Sequence, residues 1–332
     1  MHSMVYVCSF EGVTSGGPEL LHQLVYVLNA LEVPAKIAYL RNDFPIEIVD
    51  AKPVELYRNY CEEVESDLSV IDAPGNVIVV PEMAFELFEH IHHATKVAWW
   101  LSVDNYVMVL QKAYGITQEE TDRDSNLDYF HFQEQPEVIH LAQSYYAIDF
   151  LENHLHIPKE QVGYLSDYIN DLYLQVDAQS LGIERKNMVL FNPVKGKERL
   201  KKLIDATQDE ILWIPLANLS REKMRLHMLL AKVYVDFGNH PGKDRIPREA
   251  AISGCCIITG KRGAAGYYED IPIPDRYKVD DLEDVDVEAV KKLILDIFEN
   301  YDERIEDFAY YREMIRGEKE KFILDAMKIF KG

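Results

Sequence analysis

Two basic, glycine-containing loops in the C-terminal half of the sequence carry the residues best suited to chemistry. The first follows the apolar run 233–237 and holds His240, Lys243 and Arg245. The second follows the apolar run 255–259 and reads GKRGAAG. Cationic side chains and free backbone N–H groups bind phosphate, and open α/β sheets bind ligands at the carboxyl ends of their strands. The two loops therefore predict a site for an anionic, nucleotide-like ligand.

A short predicted helix joins these two strands and carries one carboxylate. Pro247 suits the first turn of this helix, residues 248–253 continue it, and Gly254 ends it. Glu249 then lies in the first turn, where an acidic side chain complements the helix dipole. A carboxylate is also a bidentate hydrogen-bond acceptor, so a binding role for Glu249 is equally open.

The segment PREAAISGCCIIT resembles the donor-binding segment of the GT-B glycosyltransferases that use nucleotide sugars (group 1, family 4-like). In that family a glycine-containing loop is followed by Pro-x-Glu-Ala, a small-residue helix ending in glycine, and a hydrophobic strand. Glu249 falls on the second glutamate of the family's Glu-x7-Glu motif, and Pro241 stands at the position of the first. The segment SGGPELLHQL, with Gly16 and Gly17, resembles the family's N-domain glycine-rich loop.

The resemblance implies that the substrate is a nucleotide diphosphate sugar and that no separate cofactor is needed. Glu249 would accept hydrogen bonds from the ribose hydroxyls. Lys195 and Lys197, in a loop after the apolar run 188–191, match the family's basic loop that neutralises the leaving diphosphate. Ordinary solvated positions are the alternative for these basic residues. The predicted donor-binding residues are Gly16, Gly17, Lys195, Lys197, His240, Lys243, Arg245, Glu249 and Gly263.

A catalytic base is predicted among the carboxylates that follow strands of the N-terminal half. Asp104, after the predicted strand 96–103, is the first candidate, and Glu82, after the predicted strand 77–80, is the second. An inverting transferase needs such a base to deprotonate the acceptor hydroxyl, whereas a retaining enzyme relies mainly on stabilising the leaving group. The sequence leaves both stereochemical outcomes open.

The elements that position these residues alternate between strand and helix along the chain. The N-terminal half opens with a strand over 5–9, a helix whose apolar positions follow the 3.6-residue period up to Leu31, and a strand over 37–40. A chain of 332 residues fits two domains of about 150 residues each. We expect an α/β fold with two Rossmann-like domains facing each other across a cleft. The predicted boundaries are 1–165 for the first domain, 166–186 for a linker, 187–300 for the second domain and 301–332 for a helical tail.

Charge and cysteine content exclude several classes of partner. The net charge of −22 argues against nucleic acid and against bulk adsorption to anionic membranes, so we expect at most peripheral membrane contact. Residues 185–262 nevertheless hold 16 Lys/Arg against 8 Asp/Glu, as a diphosphate site requires. The four cysteines show no disulfide or metal spacing, and neither a signal peptide nor a membrane-spanning run is present in the sequence. We therefore expect a cytoplasmic protein.

Other functions fit the motifs less well. His90, His92 and His93 lack the His-x3-His spacing of a helical metal site, and we predict no metal. The glycines of GKRGAAG are spaced one residue too widely for a dinucleotide-binding fingerprint, which argues against a dehydrogenase. The predicted function is sugar transfer to a hydroxyl acceptor in glycan or surface polysaccharide synthesis. The alternatives are a nucleotide-sugar epimerase of the same fold and a non-catalytic nucleotide-sugar-binding protein.

Overall fold

The chain folds into two α/β units, each built around its own sheet. The computed structural model describes residues 4–123, 126–175, 181–279 and 285–331. The first unit comprises residues 1–167 together with 320–332, and the second comprises residues 168–319. The predicted α/β class is confirmed.

A seven-stranded sheet forms the centre of the first unit, with the strand order β3-β2-β1-β4-β5-β6-β7. Every neighbouring pair is parallel except β2 and β3. The strands are β1 (Val5–Phe10), β2 (Ala35–Leu40), β3 (Ile48–Val49), β4 (Val77–Pro81), β5 (Thr95–Trp100), β6 (Ile139–Ala142) and β7 (Val162–Tyr164). Strands β1 and β4 are buried along their whole length, which explains their almost uninterrupted apolar sequences.

Helices cover this sheet and connect its parallel strands. The α-helices are α1 (Gly16–Ala30), α2 (Leu68–Ile71), α3 (Val103–Ala113), α4 (Gln118–Thr121) and α5 (Tyr145–Asp149). The 3₁₀ segments are Glu55–Tyr57, Glu82–His90, Phe132–Glu134 and Lys159–Gln161, and a π-helical turn spans Phe150–His154. The spacing of apolar residues predicts an amphipathic helix around residues 56–64, but the structure forms only the short 3₁₀ turn Glu55–Tyr57 there.

The second unit has a four-stranded, fully parallel sheet with the order β11-β10-β8-β9. Its strands are β8 (Lys186–Phe191), β9 (Leu212–Pro215), β10 (Ala231–Asp236) and β11 (Cys256–Thr259). The core between sheet and helices is apolar and includes Val233, Val235 and Ile257, which are fully buried. Because all four strands run in the same direction, their carboxyl ends lie along one edge of the sheet.

Helices of the second unit follow these strands in the order expected for βα units. They are α6 (Lys197–Thr207), α7 (Arg221–Leu230), α8 (Arg245–Ile252), α9 (Val287–Glu299), α10 (Tyr301–Arg304) and α11 (Ala309–Phe330), with 3₁₀ segments at Asp171–Tyr173, Ala264–Gly266, Asp275–Tyr277 and Ile305–Phe308. Residues of α11 from 320 onward belong to the first unit. Helix α8 begins at Arg245, two residues before Pro247 of the predicted first turn, and ends before Gly254, whose φ of +95° suits glycine. Within the described ranges, no helix has the length and apolar content needed to cross a bilayer.

Candidate functional site

Three loops meet backbone to backbone at the carboxyl edge of the four-stranded sheet. Gly196, before α6, has a φ of +62°, and a Cβ there would lie 2.5 Å from the carbonyl oxygen of Phe237. Gly263, after β11, has a φ of +57°, and a Cβ there would collide with the carbonyl oxygen of His240. Both glycines are therefore required by conformation and by space. The loops after β8, β10 and β11 are packed together as one surface.

Hydrogen bonds fix the middle loop against its neighbour. The carbonyl of His240 accepts a 2.8 Å bond from the N–H of Ala264, and the carbonyl of Asp236 accepts a 3.1 Å bond from the N–H of Gly260. His240 and Gly263 also form an isolated parallel bridge. The pairing of β10 with β11 thus continues beyond the ends of the two strands, which makes this edge rigid.

Asp236, the last residue of β10, orients the turn that follows it. Its buried carboxylate accepts a 2.9 Å bond from the N–H of Gly238 and a 2.8 Å bond from the hydroxyl of Tyr234. Burial raises the pKa of Tyr234 well above its usual value, so this phenol stays a hydrogen-bond donor. Asp236 was not predicted to belong to the site, although an acidic residue at the end of an apolar strand is a recognisable signal.

Lys195 and His240 are brought together by a residue that the sequence analysis also missed. The ammonium of Lys195 forms an ion pair with Oδ2 of Asp244, the residue immediately before α8. The same oxygen lies 3.3 Å from Nδ1 of His240. Lys197 is exposed at the first position of α6, where the free N–H groups of the helix begin. The edge therefore presents two lysines and one helix N-terminus next to each other.

Lys243 lies close to this cluster, but its charge is directed elsewhere. The side chain is almost buried, and its Nζ lies 2.8 Å from Oε1 of Glu318 on α11. Arg248 donates a 2.8 Å hydrogen bond to the other oxygen of the same carboxylate. The charge of Lys243 is thus balanced by a carboxylate within the protein interior.

Arg245 and Glu249 lie one turn apart on α8. Glu249 is 7% exposed, and burial raises the pKa of its carboxyl, while the positive charges of Arg245 and Arg248 act in the opposite direction. Glu249 is thus a nearly buried carboxylate beside two arginines, and its binding role stays a prediction.

The remaining predicted residues belong to the first unit. Gly16 and Gly17 open α1, and a Cβ on Gly17 would meet only Leu101, at an ordinary 3.8 Å. Asp104 lies in the first turn of α3 and accepts a 3.2 Å hydrogen bond from the hydroxyl of Tyr146. Glu82 follows β4 directly. Since β1, β4 and β5 are parallel neighbours, all four predicted residues lie at the carboxyl edge of the seven-stranded sheet.

Glu82 has the most strongly altered environment of these residues. It is 2% exposed and accepts hydrogen bonds from the N–H of Leu101 at 2.9 Å and from Nδ2 of Asn105 at 3.3 Å. Burial raises the pKa of this carboxyl to about 7 despite these bonds. Glu82 therefore changes its protonation near neutral pH and holds the turn that leads into α3.

A buried polar network behind Gly16 and Gly17 was missed in the sequence analysis. The imidazole of His22 lies 2.7 Å from the carbonyl of Pro18 and 2.8 Å from the hydroxyl of Tyr39, and the hydroxyl of Tyr60 donates to Glu19 at 3.1 Å. Burial lowers the pKa of His22. Polar residues on the otherwise apolar face of α1 were the available signal.

Comparison with known proteins supports the architecture. No family model and no curated protein matches the sequence. Among solved structures, the chain is similar to a sucrose-phosphate synthase of Thermosynechococcus elongatus, with a TM-score of 0.66, 11% identity and coverage of 99% of this chain and 98% of that one. A glycosyltransferase of Rickettsia africae gives a TM-score of 0.62 at 11% identity, with coverage of 99% of both chains. HepE of Anabaena, solved with UDP-glucose, gives a TM-score of 0.60 at 10% identity, with coverage of 99% of this chain and 98% of that one.

These similarities cover whole chains, so they concern both units. The predicted resemblance to GT-B glycosyltransferases and the prediction of two Rossmann-like domains are confirmed at the level of fold. The chain has the fold of the GT-B glycosyltransferases.

Proposed function

We propose that this protein is a glycosyltransferase that moves a sugar from a nucleotide diphosphate sugar to a hydroxyl acceptor in glycan or surface polysaccharide synthesis. The observation that carries the proposal is the packed edge of the four-stranded sheet. There the glycine-locked loops gather Lys195, Lys197 and Arg245 around the N-termini of α6 and α8. Free N–H groups and cations at helix N-termini are the chemistry that binds a diphosphate.

The reaction breaks the bond between the anomeric carbon of the sugar and the diphosphate oxygen. Negative charge then develops on the leaving diphosphate, and fixed positive groups lower the energy of that state. Lys195 is suited to this role because its loop is held against the next loop at Gly196. Its ammonium forms an ion pair with Asp244, so a bound diphosphate would replace one anion by another.

Glu249 is proposed to bind the ribose of the donor. Two vicinal hydroxyls can each donate to one oxygen of a carboxylate. Its near-complete burial and the adjacent Arg245 and Arg248 support this role, since a fixed and charge-balanced carboxylate loses little entropy on binding.

Deprotonation of the acceptor hydroxyl is assigned to the first unit. Asp104 is the more accessible of the two candidates, and Glu82 has the more suitable pKa of about 7, near the pH at which a general base works best. We retain both, with Asp104 as the group that can reach a ligand and Glu82 as the group that orients the Leu101–Asn105 turn through its hydrogen bonds. We further propose a cytoplasmic location, to which four buried thiols are suited.

Incubation with radiolabelled nucleotide sugars and a panel of glycan acceptors tests the proposal directly. Transfer of label to an acceptor, lost in Lys195→Ala but kept in the matched surface variant Lys201→Ala, is the expected result. Release of an epimerised sugar would instead indicate the epimerase. Tight donor binding without turnover would indicate a non-catalytic binding protein, an alternative that Pro241 favours because it replaces the first motif glutamate.

A further inference from the structure

His240 is fully buried, and its two ring nitrogens face two carboxylates. Nδ1 lies 3.3 Å from Oδ2 of Asp244, and Nε2 lies 3.8 Å from Oδ1 of Asp236. Among the residues that the structure describes, neither nitrogen finds a hydrogen-bond partner of proper geometry, although the side chain is 0% exposed. Buried polar atoms in folded proteins nearly always have a hydrogen-bond partner, so we expect a partner for this imidazole that the atoms of the described residues alone do not supply.

The three side chains converge as ligands of a metal ion do. One atom from each of Asp236, His240 and Asp244 can be chosen so that all three lie within 4.8 Å of one another. Oxygen and nitrogen ligands bind zinc at about 2.0–2.2 Å, which places neighbouring ligand atoms about 3–3.5 Å apart. An imidazole binds one ion through a single nitrogen. Nδ1 of His240 lies 3.3 Å from Asp244, within this range, whereas the 3.8 Å contact with Asp236 is made by the other nitrogen, Nε2, so one of these side chains must turn for all three to bind a single ion. We propose that Asp236, His240 and Asp244 bind one divalent transition-metal ion.

The hydrogen bonds of Asp236 support this assignment rather than compete with it. Tyr234 and the N–H of Gly238 each occupy one position on a different carboxylate oxygen, and each oxygen keeps a second lone pair. Ligating carboxylates are commonly oriented by such bonds. Thr259, which pairs in register with Asp236, adds a buried hydroxyl that has no hydrogen-bond partner within the described part of the chain.

The ligand types select the class of ion. One imidazole nitrogen and two carboxylate oxygens suit Zn²⁺ or Mn²⁺ better than Mg²⁺, which prefers oxygen ligands alone and keeps much of its water. Three protein ligands leave at least one position open, as in catalytic metal sites. Asp244 also forms the ion pair with Lys195, so the metal ion and the ammonium compete for one carboxylate.

This site departs from the sequence-based expectation of no metal. The ligands recur every four residues, but Asp236 ends a strand and the other two lie in the loop that follows, so helical metal-site spacing does not apply. Metal binding by the free protein does not depend on the proposed sugar transfer. A failure to bind metal would therefore leave the proposed sugar transfer untouched, and a failure of sugar transfer would leave the metal site untouched.

Metal titration of the full-length protein, after treatment with a chelator and without nucleotide, tests the site. Calorimetry with Zn²⁺ and with Mn²⁺ should show binding of one equivalent. His240→Ala should weaken the affinity about 100-fold or more, since even the loss of a residue that only supports a ligand weakens metal sites by about 10–100-fold. Lys195→Ala should bind more tightly because a competitor for Asp244 is gone. His90→Ala, which removes an exposed histidine outside the cluster, should bind as the wild type does.

A spectroscopic measurement on the wild type avoids dependence on variants that fail to fold. Mn²⁺ bound at the site should show electron spin-echo modulation from a directly ligated imidazole nitrogen. Stoichiometric binding together with this nitrogen signal supports the proposal. Absence of stoichiometric binding, absence of the nitrogen signal, or unchanged affinity in folded His240→Ala would each overturn it.

Discussion

Arg248 donates a 2.8 Å hydrogen bond to Glu318, which lies 70 residues further along the chain. The guanidinium is fully buried, and its other N–H groups donate to the carbonyls of Asp244 and Lys243. Arg248 thus fixes the loop before α8 through these two carbonyls. Glu318 supplies the negative charge that makes burial of the guanidinium possible. The candidate donor site depends on this ion pair, although neither residue was predicted to belong to the site.

Replacing Glu318 should destabilise the second unit strongly. Glu318→Gln leaves Arg248 and Lys243 buried without a carboxylate, and breaking a buried pair in this way costs about 3 kcal/mol or more. Urea unfolding followed by the fluorescence of Trp213, the only tryptophan of residues 168–319, measures this loss. Glu313→Gln on the same helix removes only an exposed pair with Arg316 and should change stability by less than about 0.5 kcal/mol. Equal stability of the two variants would contradict the role given to Glu318.

The variant Glu249→Gln tests whether the carboxylate of Glu249 binds the ribose or only complements the dipole of α8. If it binds the ribose, donor affinity should fall by about 1.5–3 kcal/mol, or roughly tenfold or more. If it only complements the helix dipole, the free protein should lose about 0.3–1 kcal/mol of stability and bind donor unchanged. Calorimetric titration and thermal unfolding measure both quantities. Because burial raises the pKa of Glu249, wild-type affinity should also increase as the carboxyl ionises with rising pH, and the affinity of the variant should not.

Lys195→Ala and Arg245→Ala should discriminate between ligands. Each side chain is assigned to phosphate, and a charge-assisted hydrogen bond contributes about 1.5–3 kcal/mol, so the affinity for a nucleoside diphosphate should fall about tenfold or more. The affinity for the corresponding nucleoside should hardly change. Lys201→Ala is the control, since Lys201 pairs with Asp205 on the exposed face of α6. Equal losses for the two ligands would mean that these side chains maintain the fold.

Glu82 should make the stability of the first unit depend on pH. Its folded-state pKa of about 7 lies above its usual value of 4.5, so the protonated carboxyl favours the folded state. This contribution is complete below about pH 4.5 and is lost as the pH rises through 7, by about 3 kcal/mol in total. Glu82→Gln should remove this slope. Urea midpoints from pH 4.5 to 8, read from Trp99 and Trp100, measure it, and Glu89→Gln serves as the exposed control. Parallel profiles for wild type and Glu82→Gln would exclude the effect.

Local patterns were sufficient to predict the strands and loops around the candidate site. Strands β10 and β11 are predicted by the apolar runs that end near Asp236 and Thr259, and their loops by the glycines that follow. These features depend on residues that are neighbours in the sequence. Long-range partners were not predictable in this way. Lys243 is one of several basic residues in its loop, and only the fold brings Glu318 to it. Asp244 was likewise overlooked, although it contacts both Lys195 and His240.

The prediction of a helix around residues 56–64 is wrong for a related reason. Its apolar positions are real, since Tyr57 and Cys61 are buried. Their burial comes from packing of an irregular segment against β2, where Glu65 donates its N–H to the carbonyl of Ile37. The spacing of apolar residues alone does not distinguish such a segment from a short amphipathic helix.

The packing of Gly196 and Gly263 against neighbouring backbone means that the three loops of the second unit cannot vary in sequence independently. A side chain added at either position would displace a different loop from the one that carries it. Changes of ligand preference among proteins that share this arrangement should therefore come from exchange of tip residues such as Val194, which is 84% exposed, while the lengths of the loops stay constant. Libraries for altering donor choice would best be restricted to such tips.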